Sequence, residues 1–149
     1  MIKYAQFYKE LLLATMKNST CARLNVAAII VKDGRIINSG WNGSMPKREH
    51  CIDVFANWDK TSPEFYVAHG EWSRRHESHA EISAIATAAK LGIAVDGWDM
   101  AVTYSPCGPC AKTIVMAGIK KVYYLTKYDR DPEGIEILLD NGLQCIQLP

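Results

Sequence analysis

Two short segments of this 149-residue chain carry residue types at spacings suited to metal chemistry. His79-Ala80-Glu81 opens one predicted helix, and Pro106-Cys107-Gly108-Pro109-Cys110 opens another directly after a predicted strand. Both place polar groups at helix N-termini, where free N–H groups and the positive end of the helix dipole favour thiolates. Cys107 and Cys110, three apart on one helical turn, can grip a single ion, and His79 completes a His-Cys-Cys set. Three protein ligands leave the fourth tetrahedral position of Zn²⁺ open for water, the mark of a catalytic rather than a structural site. Zinc brings the pKa of such a water down to roughly 7. A carboxylate beside it must then carry the proton, work worth about 10²- to 10⁴-fold in rate, and Glu81 is placed for that task.

Each half of this constellation has a simpler reading. Ser78 and Glu81 also fit a Ser-x-x-Glu capping box, in which Glu81 only bonds the helix terminus. A lone Cys-x-x-Cys is equally a redox pair or half of a structural zinc site, and a lone His is commonly a polar surface or core residue. What favours the catalytic reading is both half-motifs in this order, each after a break and before a helix. His-x-Glu followed by Pro-Cys-x-x-Cys is the pattern of the zinc deaminases.

The elements that must position these residues follow from periodicity. Tyr4, Phe7, Tyr8, Leu11 and Leu12 recur at helical spacing, which predicts an amphipathic N-terminal helix ending at a cap-like Asn18-Ser19-Thr20. The apolar run from Asn25 to Val31, the Asp33-Gly34 turn and a second strand from Arg35 to about Trp41 predict a β-hairpin. From about 44 to 78 an insertion of mixed polar and aromatic residues shows little periodicity, although a short helix could start at Pro63 to Val67. Structureless connections of this length are uncommon unless functional or tied down. Beyond it the pattern predicts a helix over 79–91, a strand over 99–104, a helix over 107–117, a strand over 121–125, a helix over 132–139 and a short strand over 143–148. Strands alternating with helices call for parallel pairing, so the predicted fold is a three-layer α/β/α sandwich around a mixed five-stranded sheet.

The chain length suits one domain over 1–149. Apolar residues at 48%, charged residues at 22% and a formal charge of +1 describe an ordinary globular protein, without the basic excess that concentrates a protein on nucleic acid. The longest apolar runs are too short to cross a bilayer and no signal-peptide pattern opens the chain, so a cytoplasmic protein is predicted. An odd count of five cysteines, two of them in a Cys-x-x-Cys pair, suggests metal binding over disulfides.

Taken together, Cys21-Ala22-Arg23, Ser39-Gly40-Trp41-Asn42-Gly43, His79-Ala80-Glu81, Ser105 through Lys112 and Ala117 through Val122 make the sequence resemble the deoxycytidylate deaminases of the cytidine deaminase-like fold. Gly108-Pro109 between the cysteines departs from the pair most associated with that family. The resemblance implies hydrolysis of dCMP to dUMP and ammonia, feeding thymidylate synthesis. It also implies a homohexamer activated by dCTP with a divalent cation such as Mg²⁺ and inhibited by dTTP. Asn42, Ser105, Arg23 and Tyr104 are the candidate substrate-binding residues. Asn42 would hydrogen-bond base or sugar, the alternative being a turn residue beside Gly43. Arg23, Lys47, Arg48, Lys127 and Arg130 are candidate phosphate donors that are otherwise solvated surface charges. Tyr104 or Tyr128 could stack on the base, although an aromatic at a strand end is commonly core. Other base substrates (cytidine, cytosine, guanine or tRNA adenosine) and a non-catalytic zinc or nucleotide-binding module remain open alternatives.

A second metal site suggests itself in the insertion. Cys21, Cys51, His69 and either His76 or Glu77 are ligand types that could close a four-coordinate shell and staple the insertion to the first strand. The ligand spacing of some deoxycytidylate deaminases that resemble this chain points to Glu77. The alternative is that Cys21 and Cys51 are small buried hydrophobes and the histidines lie on the surface.

Overall fold

The structure is a computed structural model that describes residues 2–149. The first helix, α1 (Ala5–Thr15), buries Ala5, Tyr8 and Leu12, one stripe of the predicted apolar face, and runs into a 3-10 turn at Met16–Asn18. The strands β1 (Ala27–Lys32) and β2 (Arg35–Trp41) then form the predicted hairpin. Asp33 and Gly34 both adopt positive φ, 50° and 75°, as a two-residue type I′ turn requires. The Tyr8 hydroxyl accepts a hydrogen bond from the Gly34 N–H at 3.2 Å, which docks α1 on the hairpin tip.

The insertion is ordered, and the helix expected to start at Pro63 does so but runs on to His76, well beyond the short one the sequence suggested. The segment holds β3 (Gly43–Ser44), a single turn α2 (Cys51–Val54), a fourteen-residue helix α3 (Pro63–His76) and β4 (Glu77–Ser78), which pairs antiparallel with β3. Ser62 caps α3 by accepting from the Phe65 N–H, and Pro63 occupies the first helical turn, where its missing N–H costs nothing. The helix buries only Phe65 and His69 and half-buries Ala68 and Trp72, so its inward face carries too few aliphatic side chains to show its full length in the sequence.

The remainder alternates as predicted: α4 (Ala80–Lys90), β5 (Asp99–Tyr104), α5 (Gly108–Met116), β6 (Lys121–Thr126), α6 (Glu133–Asp140) and β7 (Gln144–Gln147). The sheet runs β2-β1-β5-β6-β7, antiparallel through β5 and parallel from β5 to β7. Side chains alternate across it. Ala28, Ile30, Met100, Val102 and Val122 pack with α4, α5 and α6 on one face, while Ala27, Ile29, Val31, Ala101 and Tyr123 pack with α1 on the other. The three layers and the mixed five-stranded sheet match the prediction. The first strand starts two residues late, at Ala27, because 23–26 form a loop held by Asn42.

Three alanines, Ala80, Ala84 and Ala88, lie fully buried on one stripe of α4 and let that helix approach β2 closely. At the closest point Gly40 faces the backbone of Ala80 and Ala84, and a Cβ there would collide with both. Gly40→Ala is therefore expected to destabilise the fold by about 1–3 kcal/mol through overpacking, read by urea denaturation. A loss under about 0.5 kcal/mol would show that α4 can move outward freely.

Candidate functional site

The helices α4 and α5 follow β4 and β5 and turn their N-termini toward one cavity of about 620 Å³. His79 is the N-cap residue of α4 and Cys107 that of α5, each with extended backbone, so both predicted helices begin one residue later than expected. His79 Nδ1 lies 3.3 Å from Cys110 Sγ and 3.4 Å from Cys107 Sγ. Donors held about 2.0–2.3 Å from one tetrahedral ion stand about 3.3–3.8 Å apart, so this set fits Zn²⁺. The hydrogen bond from Cys110 draws the Cys107 thiol down to about 4, against the opposing effect of burial. The same bond pushes Cys110 up, so the pair shares one proton. The bond to Cys107 raises His79 above its ordinary value.

Glu81 sits in the first turn of α4 with 5% of its surface exposed. Burial pushes its carboxyl upward, and the charge of His79 pulls the other way. The capping-box alternative does not hold: the N-cap is His79 rather than Ser78, and α4 has no side-chain cap hydrogen bond. The Ser78 hydroxyl instead donates to the His79 carbonyl at 3.2 Å. Glu81 is thus a buried carboxyl at the cavity wall, facing the three-donor set.

A second cluster lies beside the first. Single ligand atoms of Cys21, Cys51, His69 and Glu77 all fall within 4.8 Å of one another. Cys21 Sγ is 3.4 Å from His69 Nε2, and His69 Nε2 is 3.5 Å from Glu77 Oε2. Buried Glu77 Oε1 has no hydrogen-bond partner among the described residues. A hydrogen bond from Cys51 draws Cys21 down to about 4, while burial and then the charge of Cys21 lift Glu77 to about 7. His76, the other candidate, lies outside this cluster with its ring stacked on Trp72.

The predicted substrate residues divide. Asn42, Ser105 and Arg23 line the cavity, as does Tyr128. Tyr104 does not; its ring meets that of Tyr128 edge-on, with centroids 6.4 Å apart, and supports it from behind. The Ser105 hydroxyl accepts from the Tyr128 N–H at 2.8 Å, which holds the Tyr128 loop against the start of α5. Asp131 on the same loop accepts from the Gly108 N–H at 2.9 Å and so caps α5 from outside the helix. Lys47, Lys127 and Arg130 stay off the cavity, and Arg48 lines a different one. The cavity also takes in Met45, Ser73 and Arg74, which sequence reasoning missed. Their signal was present but required α3: with His69 facing inward, Ser73 follows four residues later on the same helical face.

Residues 1–126 match the family of the cytidine and deoxycytidylate deaminase zinc-binding region. The chain belongs to this family. It is 35% identical to the deoxycytidylate deaminase of Enterobacteria phage T4, a match covering 89% of this chain and 83% of that one. The deoxycytidylate deaminase of Homo sapiens is 29% identical over 89% of this chain and 71% of its own. A solved structure of dCMP deaminase from the cyanophage S-TIM5, in complex with dCMP and dUMP, superposes with a TM-score of 0.79 at 31% identity. It covers 99% of this chain and 98% of that one. In this chain the matched region spans both half-motifs, and the His79, Cys107 and Cys110 cluster is compatible with Zn²⁺.

Asn42 does more than line the wall. Its Oδ1 accepts from the Ser19 hydroxyl at 2.6 Å and the Val26 N–H at 2.8 Å, and its Nδ2 donates to the Leu24 carbonyl at 2.7 Å. This single amide closes the 19–26 loop, which carries Cys21 and Arg23. Asn42→Ala is expected to cost about 1–3 kcal/mol, since three half-buried partners lose their bonds at roughly 0.5–1 kcal/mol each. Urea denaturation measures it, and a cost below about 1 kcal/mol would show that the loop is held by other contacts.

Proposed function

We propose that this chain catalyses the zinc-dependent hydrolytic deamination of dCMP to dUMP and ammonia, a step that feeds thymidylate synthesis. The observation that carries this reading is a buried carboxyl, Glu81, facing a His79, Cys107, Cys110 donor set at the wall of one cavity. The deoxycytidylate deaminases among its relatives and the dCMP and dUMP complex of its structural neighbour support the substrate.

In this reading His79, Cys107 and Cys110 hold the metal. Zinc in a three-ligand site supplies an activated water at neutral pH. Glu81 accepts a proton from the attacking water and delivers protons to the ring nitrogen and the departing ammonia, a role that suits a carboxyl raised toward neutrality by burial. The Tyr128 ring, braced by Tyr104 and by Ser105, offers an aromatic surface to the base. Asn42 keeps the loop behind the pocket in place and presents its amide at the wall. The proposed catalytic unit is a single domain over 1–149, with the 44–78 segment as an insertion that walls the pocket.

The reading extends to a second, structural zinc held by Cys21, Cys51, His69 and Glu77, for which the orphaned Glu77 Oε1 and the donor spacing are the support. It extends also to regulation by dCTP with Mg²⁺ and by dTTP. A cavity of about 520 Å³ lined by Arg48, Arg75, His76 and Trp72 supports that part, because it places cationic side chains beside an aromatic stack. A homohexamer acting in the cytoplasm is part of the same proposal; exposed Ile52, Trp58 and Val67 on the insertion offer apolar surface for assembly. Among the described residues no helix is long and apolar enough to cross a membrane.

Incubation with dCMP, CMP, cytidine, cytosine and guanine, with ammonia release as readout, tests the substrate. dCMP is expected to be preferred; equal rates on cytidine would make the protein a nucleoside deaminase, and no ammonia from any substrate would favour a binding module. Glu81→Gln is expected to cut turnover by at least about 10²- to 10⁴-fold while zinc content stays unchanged, whereas Cys107→Ser should lose the catalytic metal. Loss of zinc from the Glu81→Gln protein would reassign the carboxylate to the metal. Elemental analysis should find about two zinc ions per chain and about one in Cys51→Ala. A value near one that this substitution leaves unchanged would remove the structural zinc.

A further inference from the structure

We propose that Asp131 is a positioning residue for the base: it ties the Tyr128 loop to the first turn of α5, so that the Tyr128 ring and the Cys107 and Cys110 donors keep one fixed relation. The inference rests on the dCMP reading, in which Tyr128 lies against the base, and adds the group that sets where that ring stands. The first turn of α5 is short of ordinary caps. Its N-cap residue is Cys107, which makes no side-chain cap hydrogen bond and whose sulfur belongs to the donor set. No acidic residue stands in that turn, and Pro109 brings no N–H to it. The N–H of Gly108, a buried residue, is left for a group outside the helix, and Asp131 accepts from it at 2.9 Å. A carboxylate at a helix N-terminus gains from the helix dipole as well as from the bond itself.

The loop over 127–132 has little else to hold it. Lys127, Asp129, Arg130 and Pro132 are exposed, and only Tyr128 and Asp131 are half-buried. Tyr128 donates its N–H to the hydroxyl of buried Ser105 at 2.8 Å. Asp131, three residues on, reaches Gly108, three residues beyond Ser105. The two tethers therefore span Cys107 on one segment and pin both ends of the Tyr128–Asp131 turn on the other. Past the loop, Gly134 lets α6 begin directly against the Pro106 carbonyl, which a Cβ at that position would strike. The Tyr128 ring lines the cavity and meets Tyr104 edge-on behind it. Tyr104 and Ser105 support the ring and its own N–H, whereas Asp131 fixes the turn that leads away from it. With that carboxylate gone, the turn is held at its Tyr128 end alone, and the ring loses its fixed distance from the metal-binding turn.

Steady-state kinetics of the zinc-loaded protein on dCMP, together with hydrogen exchange of the free protein read by mass spectrometry, test this. Asp131→Ala is expected to raise KM for dCMP about 5- to 50-fold, within the range of a lost base–aromatic stack, while kcat changes less than about 3-fold and zinc content is unchanged. Asp131→Asn, whose side-chain oxygen still accepts from Gly108, should stay within about 3-fold of the unsubstituted KM. Tyr128→Leu should raise KM by a factor similar to that of Asp131→Ala, and combining the two should add less than about 2-fold, because a residue that acts through Tyr128 then has nothing left to position. Exchange at 127–130 should quicken at least about 10-fold in Asp131→Ala and not in Asp131→Asn. A carboxylate that only caps α5 gives a different pattern: full additivity with Tyr128→Leu on KM, or loss of zinc with KM unchanged. Either result overturns the proposal, as does an asparagine variant impaired as much as the alanine one. If Asp131→Ala does not fold, Asp131→Ser, whose side chain ends one bond short of the carboxylate oxygens, takes its place in the same comparisons. Failure of the functional reading looks different: the unsubstituted protein then releases no ammonia from dCMP, while the exchange measurement still reads the tether.

Discussion

Two helix N-termini aimed at one cavity are the constraint on which the rest of this molecule depends. The first turn of any helix leaves backbone N–H groups without partners and carries a partial positive charge. In this chain α4 starts after the short β4 and α5 after β5, and the sheet order sets β1 beside β5 so that the two helices touch. The groups that gather at their ends are Cys107, Cys110 and Glu81, all of which gain from positive potential in their anionic forms. A parallel β5-α5-β6 unit delivers a helix N-terminus to the carboxyl end of its strand as a matter of topology. The site is therefore where the sheet places it, and side chains adapt to that position.

The insertion supplies the other half of the wall. Its last residues, Glu77-Ser78, pair with Gly43-Ser44 and lead straight into His79. In extended backbone, residues two apart share a side, so Glu77 and His79 both face the cavity, one toward each donor cluster. Any displacement of α3 would pass through this short ribbon to His79. An element with so few aliphatic contacts owes its order to polar and aromatic ones: Phe55 against Phe65, Trp72 and His69, and the sulfur and imidazole donors beside them. That arrangement explains why a stretch poor in periodicity is nonetheless fixed.

The sequence was legible where local rules and tertiary demands agree. The β1 run Ala27 to Val31 is buried on both faces and reads as continuous apolar residues; Asp33-Gly34 names its own turn; and the two ligand motifs each adjoin a chain break. The start of α3 at Pro63 was legible but its length was not, because its inward positions are Phe65, His69 and Trp72, so a search for aliphatic spacing finds nothing beyond the first turn. Arg74 was illegible for the same reason, since its relation to the cavity exists only once α3 extends as far as His76. Ser78 and Glu81 were ambiguous in principle: their spacing satisfies both a capping box and a site, and only the N-cap at His79 decides between them.

Burying Glu81 costs free energy that the fold must recover elsewhere, since a carboxylate taken from water without partners is strongly disfavoured. The chain answers in part by moving the group toward its neutral form: burial raises its pKa and the charge of Cys107 adds to the effect, while a hydrogen bond from Cys110 opposes it. Positive charge beside it works in the opposite sense, and His79 already does so. Opposing influences on one buried carboxyl make its proton affinity responsive to its surroundings, as that of an exposed glutamate is not. A group that must take a proton in one step and give it up in the next works best with a pKa near the ambient pH. The instability of the buried carboxylate and its usefulness thus have one cause, the burial of Glu81 at the cavity wall.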